Sequence, residues 1–194
     1  MQKRSDKTLQ SCTVQLRTNN TFGTGFFIAH GLNITSANEV QQTTKNSGEK
    51  QTLWRYKNIV CTSKVIRFIE DPHIDLALLS IENFSENLIQ HHPCVLLDKT
   101  EPLIDEELYS FGYTKNNPNG DSATFKYEGQ SFKGNSPFLK LKQGQVEYGI
   151  SGSPLLILRT GKVCGILSIS RNTTSDLGGR AVPVSSVVNN WPDL

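Results

Sequence analysis

Short strand-like runs, each ended by turn-forming residues, are the feature that most limits what this chain can fold into. The run Cys12–Arg17 alternates apolar and polar residues with a period of two, and the pair Asn19–Asn20 predicts a turn after it. Similar runs recur at intervals of roughly 8–12 residues, which is typical of all-β sandwiches and barrels and not of alternating strands and helices. Only Val184–Trp191 is predicted as a helix. The other predicted strands are Gly25–Ala29, Leu32–Thr35, Gln51–Tyr56, Ile59–Phe68, Leu76–Ile81, Leu108–Tyr113, Ser122–Gly129, Phe138–Lys142, Pro154–Arg159, Lys162–Ser170 and Arg180–Pro183.

The length and charge of the chain exclude several classes of function. At 194 residues, it is long enough for one large domain or two fused lobes with a substantial core. Its net charge is +2 with both signs interspersed, which predicts neither nucleic acid nor an anionic membrane as a partner. No apolar run approaches the roughly 20 residues of a membrane span, and the charged start Met1–Lys7 lacks the apolar core of a signal peptide. We therefore expect a cytoplasmic protein.

The cysteines do not form a recognisable framework. They are scattered, and no Cys-x-x-Cys pair is present. This spacing favours reduced, buried thiols over a disulfide scaffold or a zinc site. We expect no metal and no cofactor. The four are Cys12, Cys61, Cys94 and Cys164.

The stretch Gly149–Pro154, with the sequence Gly-Ile-Ser-Gly-Ser-Pro, is the strongest candidate for a functional site. A serine flanked by glycines and followed by a proline predicts a sharp turn that cannot continue as a helix. Such a turn exposes the hydroxyl of Ser151. It also directs the N–H groups of Gly149 and Ser151 at one point, as an oxyanion hole requires. Taken alone, the same six residues are equally compatible with a glycine-rich hairpin turn.

Two further stretches decide between these interpretations. Gly23–Asn38 contains Gly-Thr-Gly-Phe-Phe-Ile-Ala and ends in Thr-Ser-Ala-Asn, and Asp71–Leu79 places Asp75 just before an apolar strand. Together with Gly149–Pro154, they resemble the trypsin-like (chymotrypsin-fold) serine peptidases, in that family's chain order of base, acid and nucleophile. The resemblance spans residues 12–188. It also includes Gly165–Ser170 and Ala181–Val184.

The resemblance implies a fold and a set of site residues. The fold would be two antiparallel Greek-key β-barrels, with the active-site cleft between them and a short C-terminal helix. Residues 1–97 would form the lobe with the base position and the acid, and residues 98–194 the lobe with the nucleophile, the oxyanion hole and the P1 pocket. Ser151 corresponds to the nucleophile, Asp75 to the carboxylate that orients the base, and the N–H groups of Gly149 and Ser151 to the oxyanion hole. The implied partner is a protein or peptide substrate.

Asn38 occupies the position at which the family has its catalytic histidine. An imidazole accepts the hydroxyl proton because its pKa lies near neutrality, whereas a carboxamide has no comparable basicity. In subtilisin, loss of the triad histidine lowers turnover by about 10⁶-fold. We therefore expect the chain to be inactive or nearly so, either as an engineered inactive form or as a natural pseudoprotease. The chain has four histidines, and none of them occupies the base position, so none is expected to replace the missing base. They are His30, His73, His91 and His92.

Two functions remain open at this point. The first is a serine endopeptidase domain whose base is replaced. The second is a non-catalytic binding module that holds an extended peptide in the groove between the barrels by strand addition. The reactivity of Ser151 toward a fluorophosphonate distinguishes them.

The resemblance also implies a substrate pocket and a branch of the family. The floor of the P1 pocket falls near Gln145, whose neutral side chain predicts a small or neutral P1 residue in place of Arg or Lys. Ile150 stands where secreted trypsins carry an aspartate that pairs with a newly cut N-terminus, so no activation of that kind is expected. Gly149–Pro154 and Ala181–Val184 are similar to bacterial trypsin-like effector domains, which would imply a regulatory protein or a fused NTPase or repeat domain as a partner. The pocket walls are assigned to Ser168, Ile169, Ser170 and Gly179.

Overall fold

Two closed antiparallel barrels of six strands each make up the fold. The structure is a computed structural model that describes residues 2–17, 22–37, 49–69, 71, 73–170 and 177–194. In each barrel the six strands, numbered along the chain, close in the same order: first, second, third, sixth, fifth, fourth. This confirms the predicted all-β fold of two barrels. The strands of the first barrel are β1 (Thr13–Arg17), β2 (Phe22–Ala29), β3 (Leu32–Thr35), β4 (Glu49–Trp54), β5 (Ile59–Phe68) and β6 (Ala77–Glu82).

The second barrel begins after a connecting segment that crosses from one barrel to the other. In this segment, the N–H of Val95 donates to the carbonyl oxygen of Phe27 at 3.0 Å, and the N–H of Asp98 donates to that of Val163 at 2.8 Å. The crossover is therefore hydrogen-bonded to both barrels. The strands of the second barrel are β7 (Glu107–Gly112), β8 (Asp121–Lys133), β9 (Ser136–Lys142), β10 (Pro154–Ile157), β11 (Lys162–Ser170) and β12 (Gly179–Pro183).

Every strand predicted from the sequence is present, and three of them keep their predicted bounds, namely β3, β5 and β11. Some strands appear in the sequence as apolar runs because their successive side chains enter two different apolar cores. In β2, Phe26 packs in the core between the barrels, whereas Phe27 packs inside the first barrel. In β10, Leu156 likewise faces the core between the barrels, while Leu155 faces the interior of the second. The sheets are thus apolar on both faces where the barrels meet.

The prediction of a single helix was wrong. The C-terminal helix is present as α3 (Val184–Asn190), but α1 (Gln2–Cys12) and α2 (Glu86–His91) were missed. Helix α1 has a mostly polar sequence, and tertiary contacts hold it. Gln10 Nε2 donates to the hydroxyl of Tyr109 at 3.0 Å, and Trp54 Nε1 donates to the carbonyl oxygen of Ser11 at 2.8 Å. These partners lie far along the chain, so the pattern of residues within this 11-residue polar segment does not predict the helix.

All four cysteines are free. Burial raises the pKa of the Cys12 and Cys61 thiols to about 12, and it also raises the pKa of Cys164 and of Cys94. The raised pKa keeps these thiols protonated at neutral pH. A protonated thiol is a weak nucleophile because the thiolate is the reactive form.

Candidate active site

The turn that carries Ser151 is built around two glycines. Gly149 has φ of +101°, and a Cβ there would lie 2.6 Å from the carbonyl oxygen of Tyr113. Gly152 has φ of +87°, and its Cβ would collide with the carbonyl oxygen of Thr24. Both the left-handed conformation and the lack of space therefore require glycine. Pro154 then begins β10, which fixes the turn at its other end.

Hydrogen bonds within the protein hold the carbonyl groups that lead up to and include Ser151. The five consecutive carbonyl oxygens from residue 147 to residue 151 each accept a hydrogen bond. By contrast, no described residue accepts a hydrogen bond from the N–H groups of Gly149 or Ser151. A turn whose carbonyls are hydrogen-bonded within the protein and whose two N–H groups have no acceptor there can bind an anion through those N–H groups. The donors to the five carbonyls are, in chain order, Ile150 N (3.2 Å), Lys115 N (3.3 Å), Thr24 Oγ1 (2.8 Å), Ser153 N (3.1 Å) and Thr24 N (3.3 Å).

The Ser151 hydroxyl contacts the second barrel. Its Oγ donates to the carbonyl oxygen of Ser168, in β11, at 3.2 Å. Ser151 is partly exposed, whereas Ser168 is buried and its own hydroxyl has no partner among the described residues. The candidate nucleophile is therefore accessible, and its proton is directed at a backbone carbonyl.

Asp75 lies just before β6 and is held by the end of β3. The hydroxyl of Ser36 donates to its carboxylate, and the N–H of Ala37 donates to its carbonyl oxygen at 3.2 Å. Asn38, the residue assigned to the base position, follows directly in the chain and lies outside the described residues. The segment that leads into position 38 is thus bonded to Asp75.

Ser36 also joins the acid to the nucleophile turn. While its side chain bonds to Asp75, its backbone nitrogen lies 2.9 Å from where a Cβ of Gly152 would be. Thr35 Oγ1 lies 2.6 Å from the same point and donates to the carbonyl oxygen of Thr24 at 2.7 Å. The fold therefore places residues 35 and 36 against both the segment that carries Asp75 and the turn that carries Ser151, although these two are far apart in the sequence.

The loop before Asp75 is anchored to the second barrel as well. Asp71 accepts a hydrogen bond from Ser136 Oγ at 2.5 Å and another from the N–H of His73 at 2.8 Å. The hydrogen bond from Ser136, with that from the His73 N–H, lowers the pKa of the Asp71 carboxyl below its ordinary value. Asp71 therefore stays ionised and holds the loop that carries Asp75 against the hairpin between β8 and β9.

A profile of the trypsin-like peptidase domain matches residues 23–166, which cover most of both barrels. The chain belongs to the trypsin-like peptidase domain family. The matched region includes both Asp75 and Ser151. A search of curated proteins finds no match to this chain.

Solved structures show the same fold at low sequence identity. The active form of the Rv3671c protease from M. tuberculosis superposes with a TM-score of 0.79 at 17% identity, over 97% of this chain and 82% of that one. The inactive form of the same protease gives 0.76 at 18% identity, over 97% of this chain and 91% of that one. The serine endoprotease from Yersinia pestis gives 0.77 at 16% identity, over 97% of this chain and 64% of that one.

In this trypsin-like domain, the residues assigned to the P1 pocket lie around the start of β12. The N–H of Gly178 donates to the carbonyl oxygen of Gly144 at 3.0 Å, which places Gly179 beside the segment that carries Gln145. Gln145 is exposed. The β11 backbone at Ile169 and Ser170 pairs with Arg180 and Gly179 of β12, and the side chains of Ile169 and Ser170 lie outside the described part of the structure.

A cleft of about 300 Å³ is lined in part by Gln145. Its walls come from the start of β8 and from the segment before the nucleophile, and they include Thr124, Glu147 and Ile150. Ile150 itself is buried in the core of the second barrel, where it packs with apolar residues. An isoleucine at this position therefore contributes packing where an aspartate would contribute a charge.

The histidines of the domain lie in the first barrel and in the segments beside it. His92 is buried among Phe27, Trp54 and Phe84, and its Nε2 accepts from the N–H of Gly31 at 2.8 Å. Its ring lies 5.4 Å from that of His30. His91 is exposed in α2, and the ring of His73 lies against Gly134. Among the described residues, none of the four histidines is hydrogen-bonded to Ser151.

Sequence reasoning missed the residues that join the two halves of the site. Thr24 and Ser36 fall within a stretch that the sequence analysis singled out, but no role was assigned to either. The only local signal is that both are polar residues in apolar runs, where a buried hydroxyl needs a partner. Their partners, Gly149 and Asp75, are distant in the chain and are brought near only by the fold.

Proposed function

We propose that this chain is a serine endopeptidase domain that carries Asn38 in place of the general base, and is therefore inactive or nearly so as it stands. Ser151 is the nucleophile, Asp75 is the carboxylate that would orient a base, and the N–H groups of Gly149 and Ser151 form the oxyanion hole. The observation that carries this proposal is the turn itself, in which five consecutive carbonyls are tied back and the two N–H groups remain available.

The chemistry follows from this arrangement when a base is present. Ser151 Oγ attacks the carbonyl carbon of a peptide bond while its proton passes to an imidazole at position 38. The negative charge that develops on the carbonyl oxygen is stabilised by the two N–H groups, and the imidazolium then protonates the leaving amine. The resulting acyl-enzyme is hydrolysed by water with the same base. The carboxylate of Asp75 stabilises the imidazolium and fixes its orientation.

With Asn38 in place, the first proton transfer has no acceptor. A carboxamide can donate or accept a hydrogen bond, but it is not protonated at neutral pH. By analogy with subtilisin, loss of the histidine removes about 10⁶-fold in turnover, while the oxyanion hole and substrate binding retain about 10³–10⁴-fold over water.

Reversion of the substitution tests the proposal. Asn38→His is expected to raise the rate of fluorophosphonate labelling at Ser151 by about 10³-fold or more and to confer cleavage of a peptide library. The double variant Asn38→His/Ser151→Ala serves as the control, and it should show neither labelling nor cleavage. Rapid peptide cleavage by the unaltered chain would contradict the proposal, and so would an Asn38→His chain that is folded but unlabelled.

A non-catalytic peptide-binding module is the second candidate. One observation favours it: the hydroxyl of Ser151 donates to the carbonyl oxygen of Ser168 and is not directed at a side-chain base among the described residues. In this case, an extended peptide would add to a strand edge in the groove between the barrels. The absence of labelling in both the unaltered and the Asn38→His chains, together with measurable binding of peptides, would support this candidate.

The substrates of the active form are proposed to be proteins or peptides with a small or neutral P1 residue, because neutral Gln145 supplies no carboxylate for Arg or Lys. Dominant cleavage after Arg by the Asn38→His chain would contradict this specificity.

We also propose a cytoplasmic domain controlled by a bound or fused regulatory protein. The buried Ile150 supports this kind of control, since it cannot form an ion pair with a newly cut N-terminus. None of the described helices is long and apolar enough to cross a membrane.

A further inference from the structure

Thr24, in β2 of the first barrel, bonds to three peptide groups that belong to the second barrel. Its hydroxyl donates to the carbonyl oxygen of Gly149 at 2.8 Å and accepts from the N–H of Tyr113 at 2.8 Å. Its own N–H donates to the carbonyl oxygen of Ser151 at 3.3 Å. We propose that Thr24 is a positioning residue, which holds the turn that carries Ser151 in the geometry needed to bind an oxyanion.

Thr24 is itself held rigidly, as such a role requires. The residue is completely buried, and its carbonyl oxygen accepts from Thr35 Oγ1 at 2.7 Å. Its N–H, its carbonyl and both functions of its hydroxyl are therefore used. Because no solvent reaches these groups, a lost hydrogen bond cannot be replaced by one to water.

The two carbonyls that Thr24 binds belong to the peptides on either side of the Ile150–Ser151 peptide, which carries the N–H of Ser151. The Gly149 carbonyl belongs to the peptide that leads from Gly149 to Ile150, between the two available N–H groups. Glycine has no Cβ to restrict its backbone, so the sequence of the turn alone does not fix this peptide. Thr24 fixes it from the opposite barrel, at Gly149 on one side and at Ser151 on the other.

Loss of the hydroxyl would leave two buried groups unsatisfied, the Gly149 carbonyl and the Tyr113 N–H. A buried carbonyl without a donor favours any rotation that finds it a new partner. A change in the orientation of the Gly149–Ile150 peptide alters ψ of Gly149 and φ of Ile150, and it thereby displaces the two neighbouring peptides, which carry the N–H groups of Gly149 and Ser151, relative to each other. This step rests on the proposed function, because the aim of the N–H groups matters only if they bind an oxyanion.

Three substitutions separate positioning from general stability. Thr24→Val keeps the shape of the side chain and removes the hydroxyl, whereas Thr24→Ser keeps the hydroxyl. Thr52→Val is the matched control: Thr52 is also completely buried, and its hydroxyl lies 2.6 Å from Ser63 Oγ, in strands that carry no residue assigned to the site. Each variant is made in the Asn38→His chain and in the unaltered chain.

In the Asn38→His chain, labelling by a fluorophosphonate is measured as a function of probe concentration, which separates the rate constant kinact from the binding constant KI. Thr24→Val is expected to lower kinact by about 10²-fold, because a displaced oxyanion donor costs about that much, and to leave KI within about threefold. Thr24→Ser should keep kinact within about fivefold of the parent. Thr52→Val should lower the unfolding midpoint in urea while leaving kinact unchanged.

A kinact that Thr24→Val and Thr52→Val affect equally would overturn the proposal, and so would a Thr24→Ser chain as impaired as Thr24→Val. In the unaltered chain, amide NMR provides a readout that does not depend on activity. Thr24→Val should shift the resonances of Gly149 and Ser151, and Thr52→Val should not. If Asn38→His gives no labelling, the proposed function fails. If these resonances stay unchanged in Thr24→Val, the positioning role fails.

Discussion

The two barrels share one strand order but contribute different groups to their contact. The first barrel presents hydroxyl side chains, namely Thr24, Thr35 and Ser36. The second presents Gly112 and Gly152, whose missing Cβ atoms leave the space that those residues occupy. The first barrel therefore contributes hydrogen bonds to the contact, and the second contributes positions without a side chain, which leave room for them. A backbone turn can be held in a fixed orientation when both conditions are met at once.

Gly152→Ala should have the largest effect, because the new Cβ would collide with the Thr24 carbonyl and the backbone there has positive φ. We expect a loss of more than about 4 kcal/mol in the free energy of unfolding, measured in urea. The matched control is Gly31→Ala, which also has positive φ, at +71°, but meets nothing closer than Ile89 Cγ2 at 4.0 Å. It should cost only about 1–2 kcal/mol. Equal losses would show that the glycine side of the contact is not limited by volume.

Gly112→Ala should have the next largest effect. Its Cβ would lie 2.9 Å from Thr24 Oγ1 and 3.0 Å from Ile150 Cγ1, with no unusual φ to add strain. We expect a loss of about 1–3 kcal/mol from overpacking. A double-mutant cycle with Thr24→Val measures whether the two sides act together, and a coupling above about 0.5 kcal/mol is expected. Additive losses would separate the glycine from the hydroxyl that it faces.

Acid should destabilise the first barrel through His92. The second barrel has no corresponding group, because the sequence contains no histidine after residue 92. Burial lowers the pKa of His92, and the neighbouring His30 lowers it further. Since the folded state favours the neutral ring, the unfolded state binds more protons as the pH falls below the ordinary value of about 6.5, and stability decreases. We expect the free energy of unfolding to fall between pH 7 and pH 5, by less than about 1.4 kcal/mol per pH unit.

The variant His92→Gln tests the source of this dependence. A glutamine can still accept from the N–H of Gly31, but it does not titrate, so the slope between pH 7 and pH 5 should flatten. Two other titratable side chains lie beside the His92 ring, namely His30 and Cys94. A slope that persists in His92→Gln and disappears in His30→Gln would assign the dependence to His30.

The smallest effect is expected on the outer surface of the second barrel, away from the contact. Lys140 and Glu128 form an ion pair of 2.8 Å between β9 and β8, and both side chains are partly exposed. Lys140→Met should change the free energy of unfolding by about 0–1 kcal/mol, and the change should shrink in high salt. A loss as large as that of Gly112→Ala would mean that the barrel surface matters as much as the contact between the barrels.

Much of the fold was predictable because its signals are local. Alternating residues such as Phe26 and Phe27 serve two cores at once, and this produced apolar runs that marked the strands. The turn at Gly149–Pro154 was predictable for a similar reason, since its glycines permit the positive φ that a sharp turn needs and its proline prevents a helix, all within six residues. Helix α1 was not predictable, because Tyr109 and Trp54, which hold it, lie far along the chain.

The sequence by itself determined the strand pattern, the family, and the residue types at positions 38, 75 and 151. Only the tertiary structure decided how the turn is held: that Thr24 binds Gly149, that Ser36 joins Asp75 to the nucleophile turn, and that His92 is buried. The physical reason is the difference in range. Backbone preference and hydrophobic periodicity act over a few residues, whereas a buried hydroxyl takes as its partner whatever group the closed barrels bring within hydrogen-bonding distance.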